Sequence, residues 1–152
     1  MKLAEALIER ADLKAQVAQI ANRMENNALV QEGDEPAENV EELFGMYESK
    51  MQALEGLIIR INKTNSETEL GSVRLAEAIA KRDCLKAKIT LYRKVRESSL
   101  NTRQRDRYTR SEIKYVRTVD AAKLQRMIDD YSKQYRELDT KIQERNWSAE
   151  LL

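Results

Sequence analysis

The stretch VEELFGMYESKMQALEGLIIRI, residues 40–61, predicts the fold of this 152-residue chain. Its apolar side chains recur in alternating steps of four and three residues. The series is Val40, Phe44, Tyr47, Met51, Leu54, Ile58 and Ile61. Such a 3.5-residue repeat is typical of a coiled-coil seam, in which one face of a helix lies against another helix. We therefore predict a long helix over about residues 38–62.

Three further segments carry the same repeat and predict helices over about residues 2–25, 73–97 and 120–146. The first seam is Leu3, Ala6, Arg10, Leu13, Val17, Ile20 and Met24. The next is Leu75, Ala78, Arg82, Leu85, Ile89 and Tyr92, and the last is Ala121, Leu124, Ile128, Tyr131, Tyr135, Leu138 and Ile142. Paired seams predict an all-α fold of antiparallel coiled-coil hairpins, which form a four-helix bundle as one domain over residues 1–152.

The connections between these helices carry turn-forming residues. Gly33 and Pro36 mark a turn after the first helix, and residues 62–72 read as a loop. Asp120 is the expected N-cap of the last helix. Residues 28–30 and a segment beginning at Ile113 are rich enough in β-formers to predict a very short two-stranded ribbon between them.

Two helices have a second apolar line beside the seam. In the third helix this line consists of Ala80, Cys84, Ala87, Leu91 and Val95, and in the first of Ala4, Leu7, Ala11, Ala18 and Ala21. A doubled apolar face indicates more than one neighbour and favours a homo-oligomer. We expect Cys84 to be a buried, unreactive residue. The tail 146–152, with Trp147 and two leucines, is expected to dock on the bundle or on a partner subunit.

Composition argues against most catalytic chemistry. The chain has no histidine, one cysteine and four dispersed glycines. Histidine-dependent nucleophilic and metal sites, thiolate zinc sites and glycine-rich phosphate loops therefore lack their residues. We predict a non-enzymatic protein without catalytic residues, metal or cofactor. Since no signal peptide or membrane-spanning stretch is apparent, we also predict a cytoplasmic protein without a membrane partner.

Charge is nearly balanced overall, at +1, but it is unevenly distributed. Residues 25–56 contain nine acids and one base, whereas residues 93–117 contain nine bases and three acids. The irregular segment 98–118 carries the candidate anion-binding side chains. They are Arg103, Arg105, Arg107, Tyr108, Arg110, Lys114 and Arg117, with Tyr115 beside them.

This basic segment has more than one interpretation. Guanidinium groups bind phosphate, and a tyrosine ring can stack on a base, so the segment is a candidate site for an anionic nucleotide-like ligand or for RNA. The alternative is a basic loop that neutralises the acidic turn 32–42 in the same or a neighbouring subunit. The small net charge disfavours nucleic acid as the partner.

Arg10 and Arg82 interrupt the apolar seams of the first and third helices. A buried arginine is costly unless it is paired. We expect each to extend past its neighbours to solvent, to meet an acid of another helix, or to line a polar cavity in the bundle.

Several longer stretches resemble a known family. They are MKLAEALIERADL at the start, NNALVQEGDEPAEN, LIIRINKTNS, RDRYTRSEIKYVRTVD, and QYRELDTKIQERNWSAELL at the end. Together they resemble the septicolysin-like family of small, mostly uncharacterised bacterial proteins, with a departure at Asn39-Val40, where a proline is expected after the acid. The resemblance brings no catalytic motif. The residues also argue against a cytolytic toxin, because no long apolar helix or alternating hairpin suited to a pore is present.

The sequence therefore favours a non-enzymatic, homo-oligomeric helical scaffold that binds itself or a protein partner. Sequestration of an anionic nucleotide-like ligand by residues 103–117 is the first alternative, and an RNA-contacting coiled coil is the second.

Overall fold

The computed structural model of the chain describes residues 1–100 and 115–152, and this part is 78% helical. Its helices are α1 (Leu3–Asn27), α2 (Val40–Glu67), α3 (Leu75–Leu100) and α4 (Ala121–Ser148). Two-residue strands β1 (Glu69–Leu70) and β2 (Val73–Arg74) form an antiparallel ribbon between α2 and α3. The predicted all-α class is confirmed.

The ribbon is not the one that the sequence predicted. It follows α2, which continues to Glu67 instead of ending near residue 62, and it turns at Gly71, whose φ is +66°. Residues 28–30 form no strand, and Ile113 lies outside the described residues.

Side-chain hydrogen bonds close the turn after α1. Asn27 donates to the Arg23 carbonyl (2.9 Å) and accepts from the Glu38 amide (3.0 Å), and Arg23 pairs with Glu38.

The chain divides into two compact units, of which the first comprises residues 1–75 and 143–152. Here α1 and α2 form an antiparallel hairpin. Its buried aliphatic side chains are Leu3, Ala4, Ala6, Leu13 and Ile20 from α1 and Leu43, Leu54, Leu57 and Ile61 from α2. The predicted α1 seam is therefore correct in its buried positions, with Arg10, Val17 and Met24 half-buried between them.

The predicted seam of α2 is partly wrong. Leu43 and Leu57 are buried, whereas Phe44 is 48% exposed and Met51 is also exposed. The sequence has apolar doublets at 43–44 and 57–58, so a 3.5-residue repeat fits either member of each doublet. The neighbouring helix covers the line through Leu43, Leu54, Leu57 and Ile61.

The tail docks within this first unit. Leu3 donates its amide to the Ala149 carbonyl (3.0 Å), and Leu151 donates to the Met1 carbonyl (2.9 Å). Ala149 and Leu151 are buried, as docking requires. Trp147, however, is 56% exposed over the described residues, so its docking on a partner subunit stays a prediction.

Buried Thr64 completes this attachment. Its hydroxyl donates to the Arg60 carbonyl (2.9 Å) and accepts from the Leu152 amide (3.0 Å). Arg60 in turn donates its Nε to the Leu152 carbonyl (2.9 Å). Leu152 is therefore held by both its backbone amide and its backbone carbonyl.

The second unit comprises residues 76–142. The contacts of Arg82 with Asp139 and of Tyr92 with Tyr131 show that α3 and α4 pair in antiparallel fashion. The predicted seams are correct here. Their buried members are Ala78, Leu85, Ile89, Ile128 and Ile142, and their half-buried members include Tyr92, Leu124, Tyr131, Tyr135 and Leu138. The rings of Tyr92 and Tyr131 lie 5.9 Å apart in a tilted arrangement, which is a favourable aromatic contact.

Asp120 caps α4, as the sequence predicted. Its carboxylate accepts the amides of Lys123 (3.0 Å) and Ala122 (2.9 Å). These hydrogen bonds hold the pKa of Asp120 below its ordinary value.

Candidate functional sites

Most of the predicted anion-binding residues lie outside the described part of the chain. These residues are Arg103, Arg105, Arg107, Tyr108, Arg110 and Lys114. Arg117 is within the described part, and its side chain is exposed. Of the predicted basic segment 98–118, residues 98–100 belong to α3. The proposed role of this segment therefore stays a prediction.

The two seam arginines have different surroundings. Arg82 of α3 is 23% exposed and reaches Asp139 of α4 (3.3 Å) as well as its neighbour Asp83 (2.8 Å). Burial opposes its charge, but the hydrogen bonds and charges of the two carboxylates together raise the pKa of Arg82. Arg10 is half-buried and forms no ion pair within residues 1–100 and 115–152.

One exposed face of α2 alternates acids with large apolar side chains. Glu41, Phe44, Glu48, Met51 and Glu55 follow one another in steps of three and four residues, and all five are exposed. We call this set the acidic face. Phe44 and Met51 lie on this exposed face because the buried line of α2 runs through Leu43 and not through Phe44.

An exposed face of α3 has the same spacing with the opposite charge. Lys81, Cys84, Lys88 and Leu91 also step by three and four residues, and all are exposed, with Leu91 at 56%. We call this set the basic face. Cys84 was predicted to be buried, and that prediction is wrong, because the described residues leave most of the second apolar line of α3 exposed.

Lys88 is partly fixed in place. Its ammonium lies 5.3 Å from the centroid of the Tyr131 ring, which is a cation–π distance. Lys81 and Lys88 form no ion pair with the described residues. Their charges are therefore available to a carboxylate from outside the chain.

The sequence contained the signal for both faces. Glu41, Glu48 and Glu55 recur every seven residues, as do Lys81 and Lys88. These charged heptads lie beside the apolar seams. The densest cluster of arginines lies elsewhere, at residues 103–117, and it drew the sequence-based prediction of a site.

The described helices include no stretch that is both long and apolar enough to cross a membrane. Over the same residues, no group of three or more acidic or cysteine side chains is placed to hold a metal ion.

A family described as one of unknown function, DUF6847, matches residues 10–151. The chain belongs to this family. Among solved structures, this chain is similar to that of a functionally unknown conserved protein from Corynebacterium diphtheriae. The two are 42% identical with a TM-score of 0.89, and the match covers 100% of this chain and 99% of the other. No protein of curated function matches. The resemblance to the septicolysin-like family stays a prediction.

Proposed function

We propose that the protein is a non-enzymatic helical scaffold that assembles with copies of itself. The acidic face of one copy packs on the basic face of another. The observation that carries this proposal is the matched pattern of Glu41, Glu48 and Glu55 on α2 and of Lys81 and Lys88 on α3, each set interleaved with exposed apolar side chains.

The spacing of the charges supports contact between two helices. Seven helical residues rise about 10.5 Å, so two successive glutamates of one face and the two lysines of the other have the same separation. One register therefore brings two pairs of opposite charge together. Phe44 and Met51 then lie against Cys84 and Leu91.

The two kinds of side chain contribute differently. An exposed ion pair stabilises by at most about 1 kcal/mol and is screened by salt. Burial of a Leu, Met or Phe side chain is worth about 1.5–3 kcal/mol. The apolar residues therefore supply most of the affinity, and the charges choose the partner surface and the register.

Both faces are exposed over the described residues, which leaves each of them open to a covering surface. A second copy supplies it without any further component, since each chain carries one face of each charge.

Charge reversal on each side, followed by mixing, tests this proposal. Glu48→Lys with Glu55→Lys makes both faces basic, and Lys81→Glu with Lys88→Glu makes both faces acidic. We expect sedimentation velocity to show an assembly for the wild-type protein and monomers for each variant alone. An equimolar mixture should assemble again, because every basic face then meets an acidic face.

Glu9→Lys and Lys133→Glu are matched controls, since both residues are exposed and lie outside the two faces. They should leave the assembly unchanged. A monomeric wild-type protein at micromolar concentration contradicts the proposal. So does an assembly that survives either double reversal, or a mixture that remains monomeric.

A further inference from the structure

A groove of about 280 Å³ lies between α3 and α4 within the second unit. Lys86, Thr90 and Arg93 face it from α3, where steps of four and three residues place them along one side of the helix. Ser132 and Arg136 face it from α4, one turn apart. Thus two helices converge on the same small volume with polar side chains.

The groove is strongly cationic. Lys86, Arg93 and Arg136 line it, and no carboxylate does. Within the described residues none of the three cations forms an ion pair. Nearby acids on α4 are engaged elsewhere, since Asp129 accepts from Gln125 (2.7 Å) and Asp130 from Gln134 (3.0 Å). Three unpaired cations around one groove attract an anion.

The Ser132 hydroxyl is the second indication of a ligand. Its Oγ is enclosed and has no hydrogen-bond partner among the described residues. Buried hydroxyls are normally satisfied, because an unmade hydrogen bond is costly. The oxygen of a bound anion would accept from Ser132 and remove this cost once the side chains that enclose the hydroxyl move aside on binding.

The remaining walls are apolar. Ile89 is buried and Tyr135 is half-buried, and both line the groove. An inorganic anion leaves these walls exposed to water, whereas an organic anion covers them. The volume is near the lower end of the range for small-molecule sites, about 300–1,000 Å³, and indicates a compact ligand.

We propose that this groove binds a small organic phosphate. The phosphoryl group lies between Arg93 and Arg136, where guanidinium groups can bind its oxygens in bidentate fashion. Lys86 adds a third positive charge, Ser132 donates a hydrogen bond, and the organic part packs on Ile89 and Tyr135. This site is distinct from residues 103–117 and does not rest on the proposed self-assembly.

Titration of the full chain with phenyl phosphate and with inorganic phosphate tests the inference. By calorimetry at low salt, phenyl phosphate should bind saturably, with one site per chain, and more tightly than inorganic phosphate. Arg93→Met and Arg136→Met should each weaken phenyl phosphate binding by about tenfold or more, as expected when a hydrogen bond between charged groups is lost. Ser132→Ala should weaken it less.

Lys133→Met is the matched control, because Lys133 is exposed on α4 beside Ser132 but does not line the groove. It should leave the affinity unchanged. Since Arg93 and Arg136 are exposed, their variants should fold normally, which circular dichroism checks.

Three outcomes overturn the inference. One is the absence of saturable phenyl phosphate binding, and another is an equal loss in Lys133→Met. The third is binding that survives Arg93→Met but disappears in Arg107→Ala with Arg110→Ala, which would assign the ligand to the basic segment. None of these outcomes affects the proposed assembly, because Lys81, Lys88 and the acidic face lie outside the groove.

Discussion

The two units of the chain use the same seam spacing but fill it with different chemistry. In the first unit the buried seam positions are aliphatic, and the tail is hydrogen-bonded to buried Thr64. In the second unit the seam includes the Tyr92–Tyr131 contact and the Arg82–Asp139 ion pair. The comparison teaches that a heptad pattern determines which faces of two helices pair. The kind of residue at the seam positions determines how polar the interface between them is. The groove and the basic face both belong to the more polar unit.

Truncation of one buried isoleucine to alanine in each unit gives the largest expected loss of stability. Ile61 is 1% exposed and Ile128 is 3% exposed, so both are well buried. Truncation to alanine costs about 2–5 kcal/mol of unfolding free energy, with the cost rising as the cavity persists. We expect Ile61→Ala to cost more than Ile128→Ala, because the tail hydrogen bonds hold the walls around α2 in place, whereas tyrosine side chains can move toward the gap in the second unit.

Urea unfolding followed by circular dichroism measures both losses. A larger cost for Ile128→Ala would show that the second unit is the more rigid of the two and would reverse the comparison.

The threonine hydroxyls offer a second contrast between the units. Thr64 and Thr140 both donate to the carbonyl four residues earlier, at 2.9 and 3.0 Å. Only Thr64 is buried and also accepts from the Leu152 amide. Thr64→Val should lower the free energy of unfolding by about 1–3 kcal/mol, since it leaves that amide unsatisfied.

Thr140→Val, an exposed control on α4, should change the stability little. Amide hydrogen exchange at Leu151 and Leu152 checks the mechanism, because it should accelerate in Thr64→Val and not in Thr140→Val. Equal effects of the two variants would mean that the tail is not held by Thr64.

The ion pair across the second unit should contribute a smaller but measurable amount. A double-mutant cycle with Arg82→Met and Asp139→Asn isolates the coupling between the two side chains, which are 23% and 30% exposed. Partial burial places the coupling at about 1 kcal/mol, above that of most surface pairs.

The Arg23–Glu38 pair of the first unit is the comparison for this cycle, and it is more exposed, at 41% and 38%. Its coupling should be smaller than that of Arg82 and Asp139. A coupling near zero for Arg82 and Asp139 would remove the ion pair from the description of the second seam.

Acid sensitivity should be the smallest effect and should involve both units. Hydrogen bonds hold the pKa of Glu38 (from Arg23) and of Glu150 (from Lys2) below their ordinary values in the first unit, and amides do the same for Asp120 in the second. A folded-state pKa below the unfolded one means that the native state binds fewer protons. The stabilisation is therefore present above the ordinary carboxyl pKa of about 4 and is lost as the pH falls through the lowered values.

Denaturant midpoints measured between neutral pH and about pH 3 test this. Glu38→Gln with Glu150→Gln should flatten the acid limb in part, and Asp120→Asn should remove a further part. An acid limb that is unchanged in all three substitutions would contradict these assignments.

Much of the helical architecture could be predicted from the sequence, because long helices carry their own evidence. Asp120 was recognisable as a cap because a short acceptor side chain precedes a regular run of helix formers. In α4 the doublets at 121–122 and 127–128 leave one continuous apolar register, since the alternative line from Met127 passes through Gln134. In α2 the doublets at 43–44 and 57–58 allow a second register, which passes through Lys50, and contact with α1 selects it.

The candidate sites were harder to predict, for a different reason. Arg93 and Arg136 are distant in the sequence and face one groove only when α3 and α4 pair in the register that also joins Arg82 to Asp139. The role of Thr64 was hidden for the same reason, since its partner is the amide of Leu152. Local patterns predict elements, whereas these sites depend on the register between elements.

The position of the tail also has a consequence for how the chain folds during synthesis. The second unit is formed by one continuous segment, residues 76–142, so all of its contacts are available once that segment has left the ribosome. The first unit receives Ala149 and Leu151 only after that segment has been synthesised. We therefore expect the α3–α4 hairpin to form while the α1–α2 hairpin still lacks its last hydrogen bonds, so that helices synthesised before the second unit are completed after it.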